Sequence, residues 1–443
     1  MKHENELAQQ FLARIENRSC VVAIVGLGYV GLPMVRAFHD AGYRVIGYDT
    51  DRRKLEMLGR GETYLAHLGE DLARNLSRSD RFHPTGNPQD LGNADAVLLC
   101  VPTPLGRHNE PDLSFVTSST EMVAKHLRPG QLVVLESTTY PGTTREEMLP
   151  LLEARNLRCG KDFFLAYSPE REDPGRLDAS THTTPKLVGG IDDVSGQLAH
   201  ALYQQVVREV HRVANAEVAE AAKLLENIYR AVNIALVNEL KTVFTDMGID
   251  IWDVIAAAST KPFGFQAFYP GPGLGGHCIP IDPFYLTWKA KEHGHSTRFI
   301  ELAGEVNRGM PHFVVARTVR ALNDERRALR GARVLVVGVA YKPNINDVRE
   351  SPAAEIIELL LAGGAELTYH DPHVPEFPKM RMHDIDLSST PLTPAFVAQQ
   401  DVVVVVTHHD AVDWGLIGEH AKLVVDTRNV MRAATARARI VKA

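Results

Sequence analysis

Val21-Val-Ala-Ile-Val-Gly26-Leu-Gly28-Tyr29-Val30-Gly31 decides the fold. An apolar, mostly β-branched run feeds a Gly-x-Gly-x-x-Gly turn, and a helical pattern follows over 32–41 until Gly42. A second strand over 43–48 ends at Asp49. Strand, glycine turn, helix, strand and an acid about 20 residues on make up the context of a dinucleotide-binding βαβ unit. Gly26 allows the tight turn, Gly28 lets a pyrophosphate approach the backbone, and Gly31 brings helix close to strand. The helix N-terminus then faces the phosphates. Asp49 accepts from a ribose hydroxyl and repels a 2′-phosphate, which selects NAD over NADP. Arg52 and Arg53 pull the other way, as cations suited to a phosphate. Tyr29, Val30 and Arg52 join the expected cofactor contacts.

Further strands of the same sheet are read over 96–101, 132–135 and 163–166, ending in Pro102-Thr103, Glu136-Ser-Thr138 and Ser168-Pro-Glu170-Arg171. In open parallel sheets ligands bind beyond the carboxyl ends of strands, where Thr103, Thr138 and Glu170 stand. Taken singly, such threonines also serve as helix caps, and Glu170 beside Arg171 also reads as a surface ion pair.

The pattern changes near residue 214. Residues 216–247 read as one helix without Pro or Gly. Glu220, Lys223, Asn227, Arg230 and Asn233 recur at spacings of three and four, on one face. That face is either solvated or a site, and a helix of this length suits dimerisation. Another helix starts at Asp250, Lys261-Pro-Phe-Gly264 follows, and 301–320 reads as helical with a break near Pro311. Between them lies Tyr269-Pro-Gly-Pro-Gly273-Leu-Gly275-Gly-His-Cys278-Ile-Pro-Ile-Asp282. Glycines and prolines forbid a regular helix or strand there, and hold a thiol where a ligand can approach the backbone. Asp282 is near enough to share the site. Reactive thiols sit in such polar, partly exposed settings, whereas Cys100 lies in an apolar run.

A third region opens near Gly331. A strand over 333–337, Gly338, a helix over 353–361 and a strand ending before Asp371 repeat the first unit without its glycine fingerprint. We expect a nucleotide-like ligand other than NAD there, with Lys342 and Arg349 on its phosphate or sugar oxygens.

At 443 residues the chain exceeds one ordinary core, and its formal charge of −7 gives no support for nucleic-acid or anionic-membrane binding. Its four cysteines are scattered, which argues against disulfides or a metal site and for a reducing, cytoplasmic setting. No run is long enough to span a membrane. The expected fold is α/β: two Rossmann-like, doubly wound parallel-sheet domains (1–205 and 316–443) joined by a helical central domain (206–315) with a long connecting helix. An NAD site and a nucleophilic cysteine together suggest oxidation through a covalent thiohemiacetal.

Gly26-Leu-Gly-Tyr-Val-Gly31, Ser137-Thr138, Ser168-Pro-Glu170-Arg171, Lys223-Leu-Leu-Glu-Asn227, Gly275-Gly-His-Cys278 with Asp282, and Tyr341-Lys342-Pro to Arg349 resemble the UDP-glucose/GDP-mannose dehydrogenase family along essentially the whole chain. Within it, Gly-Gly-His-Cys resembles the N-acetylhexosamine branch, and Lys261-Pro-Phe-Gly264 is most similar to bacterial UDP-N-acetyl-D-glucosamine 6-dehydrogenases, enzymes of surface polysaccharide synthesis. The resemblance implies double oxidation of a sugar C6 alcohol to a carboxylate with two NAD; the long helix leads us to expect a homodimer or higher oligomer. It implies Cys278 as nucleophile, Asp282 and Lys223 for proton and water chemistry, and Thr138 to position water and touch the cofactor. Asn227 and Lys223 would stabilise the oxyanion, and Glu170 would assist thioester hydrolysis. Thr103 joins the cofactor contacts. Glu170, Arg171, Lys223, Asn227, Arg230, Tyr269, Gly273, Gly275, Lys342 and Arg349 would line the UDP-sugar. Lys261 would replace an arginine that UDP-glucose enzymes place before the cysteine loop.

Overall fold

A computed structural model describes residues 5–65, 68–106, 108–171, 182–276, 279–380, 383–434 and 436–443. The chain forms two compact units, Met1–Glu226 with Trp288–Gly294, and Asn227–Thr287 with His295–Ala443.

The first unit is built on an eight-stranded sheet. Its strands are β1 (Val21–Val25), β2 (Arg44–Tyr48), β3 (Phe82–Thr85), β4 (Ala96–Leu99), β5 (Leu132–Leu135), β6 (Phe164–Tyr167), β7 (Lys186–Gly190) and β8 (Val210–Arg212). Their order is β3-β2-β1-β4-β5-β6-β7-β8, so the strand order reverses at β1/β4, where open α/β sheets bind their ligands. Side chains alternate: Val22 and Ile24 pack into one core, Ala23 and Val25 into the other. Burial on both faces explains the continuous apolar runs that the sequence shows. The sequence predicts parallel strands throughout, but β7 is antiparallel to β6, with Ala166 opposite Gly190 and Tyr167 opposite Gly189. A parallel return needs a crossover, and the described residues between these two strands hold no helix.

The second unit contains a five-stranded parallel sheet of β9 (Arg333–Val337), β10 (Glu366–His370), β11 (Val402–Val405), β12 (Leu423–Asp426) and β13 (Arg439–Lys442), in the order β10-β9-β11-β12-β13. The same alternation operates, Val334 and Val336 against Leu335 and Val337. The helix Arg298–Asp324 runs through Pro311, where the sequence predicts a break. Met310, Pro311 and Val314 are buried, so packing holds the helix across the hydrogen bond that proline cannot donate.

The helix Ala216–Asp246, 31 residues long, begins in the first unit and continues into the second. Its polar residues face inward: Glu220, Lys223, Asn227, Asn238 and Lys241 are all buried. Arg230 is exposed and Asn233 half-buried, so they leave the polar stripe that the spacing assigned to them. Leu225, Tyr229, Leu236, Val243 and Met247 stand exposed instead. Among the described residues no helix is long and apolar enough to cross a membrane.

Candidate active site

The glycine turn has the shape its residues imply. Gly26 has φ +93°, and a Cβ there would lie 2.4 Å from the Cys100 carbonyl oxygen. A Cβ on Gly31 would lie 1.8 Å from the Gly26 carbonyl oxygen, whereas one on Gly28 would meet nothing within 4 Å. Two glycines are therefore demanded by packing, while Gly28 borders open space, as a ligand-facing position should. Tyr29 and Val30 are half-buried within the turn. Helix Gly31–Asp40 has no side-chain cap, which suits an anionic ligand at that end. Asp49 ends β2, buried, and its Oδ2 accepts from the Leu27 amide at 2.8 Å and from Lys54 Nζ at 2.9 Å. Its Oδ1 accepts from the Asp51 amide at 2.9 Å. The carboxylate is thus braced against the glycine turn. Lys54 is a partner that sequence reading missed; its place near the start of the helix after the acid was the available signal. Arg52 opens that helix, exposed. Thr103 is buried just beyond β4, and Thr138 is half-buried beyond β5.

A second group of side chains gathers at the ends of β5 and β6. Arg171 donates its amide to Glu170 Oε1 at 2.8 Å, while its guanidinium engages Glu226 at 2.6 Å and the Pro185 carbonyl at 2.7 Å. Below this turn Glu136, Lys186 and Tyr203 form a buried cluster that no motif announced. Burial pushes the Lys186 pKa down, but Glu136 and Glu170 outweigh it and the net direction is up, so the side chain stays a cation.

Glu220 and Lys223 enter the first unit from the long helix. Glu220 accepts from the Gly142 amide at 2.6 Å, the Thr144 amide at 3.0 Å and Thr144 Oγ1 at 2.6 Å. This fastens the turn that follows Thr138 to the helix that carries Lys223. Burial lifts the Glu220 carboxyl to about 7 against these three donors.

In the second unit Asn227 Nδ2 donates to Asp282 Oδ2 at 2.6 Å, both residues buried. Asp282 begins the helix Asp282–Glu292 rather than lying in the loop. Cys278 and His277 lie outside the described residues. The loop before them is fixed on both flanks. A Cβ on Gly275 would lie 2.6 Å from Tyr341 Cβ, and one on Gly273 3.0 Å from Pro352 Cβ. The Gly276 amide donates to the Arg349 carbonyl at 3.1 Å. This brings the loop beside the Tyr341–Arg349 turn, two stretches far apart in sequence. Tyr269 stacks on Trp252, ring centroids 5.5 Å apart, and Lys261 stands exposed over the Phe263 ring. Arg349 closes on Asp347 at 2.6 Å, and Lys342 is half-buried on the same turn.

The second sheet repeats the first device and then spends it differently. Gly338, φ +81°, follows β9 as Gly26 follows β1, and a Cβ there would meet the Thr407 carbonyl oxygen at 2.0 Å. Asp371 occupies the place of Asp49, accepting from the Val339 and Ala340 amides at 2.7 and 3.1 Å. Its other oxygen accepts from the His373 and Val374 amides, and His409 Nε2 lies 3.0 Å from Oδ2. Asp371 is fully engaged by the protein, which removes the ribose acceptor of a dinucleotide site. His409 Nδ1 accepts from the Asn344 amide at 2.9 Å, so the imidazole carries its hydrogen on Nε2 and steadies the Lys342 turn.

Cys20, Cys100 and Cys159 are poor nucleophiles, because burial pushes each thiol well up, Cys159 to about 12.

Models of the UDP-glucose/GDP-mannose dehydrogenase family match the chain in three parts: the NAD binding domain over residues 20–207, the central domain over 217–309 and the UDP binding domain over 335–433. Protein CapL of Staphylococcus aureus is 38% identical over 83% of this chain and 86% of its own length. The UDP-N-acetyl-D-glucosamine 6-dehydrogenase of Pseudomonas aeruginosa is 36% identical over 89% and 92%. The solved structure of the UDP-D-ManNAc dehydrogenase from Pyrococcus horikoshii superposes with a TM-score of 0.85 at 32% identity, covering 95% of this chain and 98% of that one. The chain belongs to the UDP-glucose/GDP-mannose dehydrogenase family and is an NAD-dependent nucleotide-sugar dehydrogenase.

Proposed function

We propose that this enzyme oxidises the C6 alcohol of UDP-N-acetyl-D-glucosamine to the carboxylate, for a bacterial surface polysaccharide, through a covalent adduct on Cys278. Bound NAD supplies the hydride acceptor. The observation that carries the mechanism is the buried hydrogen bond from Asn227 to Asp282, a carboxylate four residues along the chain from Cys278. A carboxylate held so is fixed in direction and placed for base work. Asp282 and Lys223 move the alcohol proton, with Thr138 orienting water. Cys278 adds to the aldehyde, giving a tetrahedral carbon that still bears the hydrogen to be lost as hydride. Asn227 and Lys223 stabilise the oxyanion of that adduct. In the last step water adds to the acyl carbon, its proton passes to Glu170, the C–S bond breaks and the sulfur leaves as thiolate. Lys342 and Arg349 hold the nucleotide sugar, with Arg171, Arg230, Lys261, Tyr269, Gly273 and Gly275 along it.

Gly275-Gly-His-Cys278 supports an N-acetylhexosamine over glucose, and Lys261-Pro-Phe-Gly264 with the similarity to the Pseudomonas enzyme supports UDP-N-acetyl-D-glucosamine. UDP-N-acetylmannosamine is the second reading, favoured by a relative named for that substrate at 34% identity. UDP-glucose is the third. NADH formation measured with each of the three sugars decides. A preference for either of the others in kcat/KM overturns the first.

We also propose that the enzyme is a homodimer or higher oligomer, sealed by the outward side of the long helix. Tyr229, Leu236, Val243 and Met247 are each about half exposed or more, at spacings of seven, seven and four. That is the spacing of a helix–helix seam, and a second copy brings the same row to meet it.

A further inference from the structure

Lys186 owes its place to the antiparallel strand β7. The first residue of a parallel strand lies at the edge away from the ligand side, but the first residue of β7 lies beside the end of β6, at the carboxyl edge. There its ammonium, 4% exposed, donates to Glu136 Oε2 at 2.7 Å and to the Pro169 carbonyl at 3.2 Å. It stands 3.9 Å from Glu170 Oε2. Tyr203 donates to the other Glu136 oxygen. Ser168 Oγ donates to the Leu187 carbonyl at 2.8 Å, so β7 grips the 168–170 turn by its backbone as well as by charge.

The charged and titratable groups gathered here are Lys186 from β7, Glu136 beyond β5, Cys100 beyond β4, Tyr203 from the helix Asp193–Tyr203, and Glu170 with Arg171 in the turn itself. Burial holds Cys100 and Tyr203 protonated. Arg171 is turned to Glu226. Lys186 is therefore a cation set between the buried Glu136 carboxylate and the half-buried Glu170 carboxylate, and it offsets their mutual repulsion.

We propose that Lys186 is a positioning residue for Glu170. It aims the carboxylate at the water whose proton Glu170 takes as the acyl group is freed from Cys278. This rests on the reading of Glu170 given above.

The test follows turnover against pH, the NADH burst before steady state, and the mass of enzyme-bound adduct. The variants are Lys186→Met, Lys186→Arg, Glu170→Gln, and Lys186→Met combined with Glu136→Gln. The double variant leaves no unpaired Glu136 charge, so loss of folding does not decide the result. In both Met variants the acid limb of the pH profile moves up by about one pH unit or more, adduct accumulates, and the burst is retained. Lys186→Arg restores the wild-type limb. Slower turnover with the limb unmoved in both Met variants overturns the proposal. The reading of Glu170 fails separately, if Glu170→Gln releases product at the wild-type rate without accumulating adduct; Lys186 then has nothing to position.

Discussion

The side-chain amide of Asn227 meets a carboxylate oxygen of Asp282 across 2.6 Å, from a helix to the start of another, 55 positions apart in the chain. Asp282→Asn loses the charge but keeps the shape, whereas Asn227→Ala leaves the carboxylate buried without that donor. We expect Asp282→Asn to lower kcat by roughly 10²–10⁴, the scale of a lost general base. Asn227→Ala should also lower kcat, with a smaller change in KM. Stopped-flow NADH formation reads both; a Asp282→Asn enzyme within threefold of wild type would remove Asp282 from the chemistry.

Cys278→Ser should separate the two proposed oxidations. A hydroxyl is a poor nucleophile beside a thiolate and a poor leaving group in hydrolysis. Steady-state turnover should fall at least ~10³-fold, the scale of losing a covalent catalyst, while NAD affinity holds because Gly26, Gly28 and Asp49 are untouched. Two NADH released per sugar at the normal rate would falsify the covalent route.

Asp49 bears on cofactor choice. Its carboxylate is braced by Leu27 and Lys54, so the negative charge is held rigidly. Wild type should turn over faster with NAD than with NADP, and Asp49→Ala should narrow the ratio of kcat/KM values by about tenfold or more, since losing one well-placed charge contact is worth over 1 kcal/mol. An unchanged ratio would show that other residues make the choice.

Lys241 predicts an unusual stability profile. Its ammonium is buried, has no hydrogen-bond partner among the described residues, and lies 5.6 Å from the Phe313 ring. Burial first, then Arg428 and Arg317, lower its pKa from 10.5 to about 7. Between these values the unfolded chain binds a proton that the folded chain lacks, so stability rises with pH across that window. Below about 7 the cost is complete. Lys241→Met should therefore stabilise the protein by roughly 1–4 kcal/mol near pH 6, and the gain should shrink toward pH 10. Thermal melts of both proteins across this range give the answer, and a destabilised variant at pH 6 would contradict it.

The outward row of the long helix predicts assembly. Leu236, at 52% exposure, and Val243, at 47%, are apolar side chains that a lone subunit would leave to water. Wild type should run as a dimer or larger in light scattering at micromolar concentration. Leu236→Lys with Val243→Glu should dissociate it without unfolding the subunit, because neither residue belongs to the core. A monomeric wild type ends the idea.

Much of this protein was legible before its structure because the governing interactions are local. Gly26 is required by a turn at the end of its own strand, Asp49 by the next strand, and the 31-residue helix by its own freedom from Gly and Pro. Those constraints act within a few tens of residues, where composition and spacing record them. What only the tertiary structure decided depends on the path of the chain. The reversal of the sheet's direction at β7 carries Lys186 to the carboxyl edge and under Glu170. The helix Ala216–Asp246 turns Glu220, Asn227 and Lys241 inward and Leu225 and Leu236 outward, the reverse of an ordinary surface helix. Asp371 looks in sequence like Asp49, yet amides and the His409 ring saturate it, and that ring arrives from 38 residues away. A side chain's type is written in the sequence; whether its charge meets water, a ligand or another buried group is settled by which distant segment folds against it.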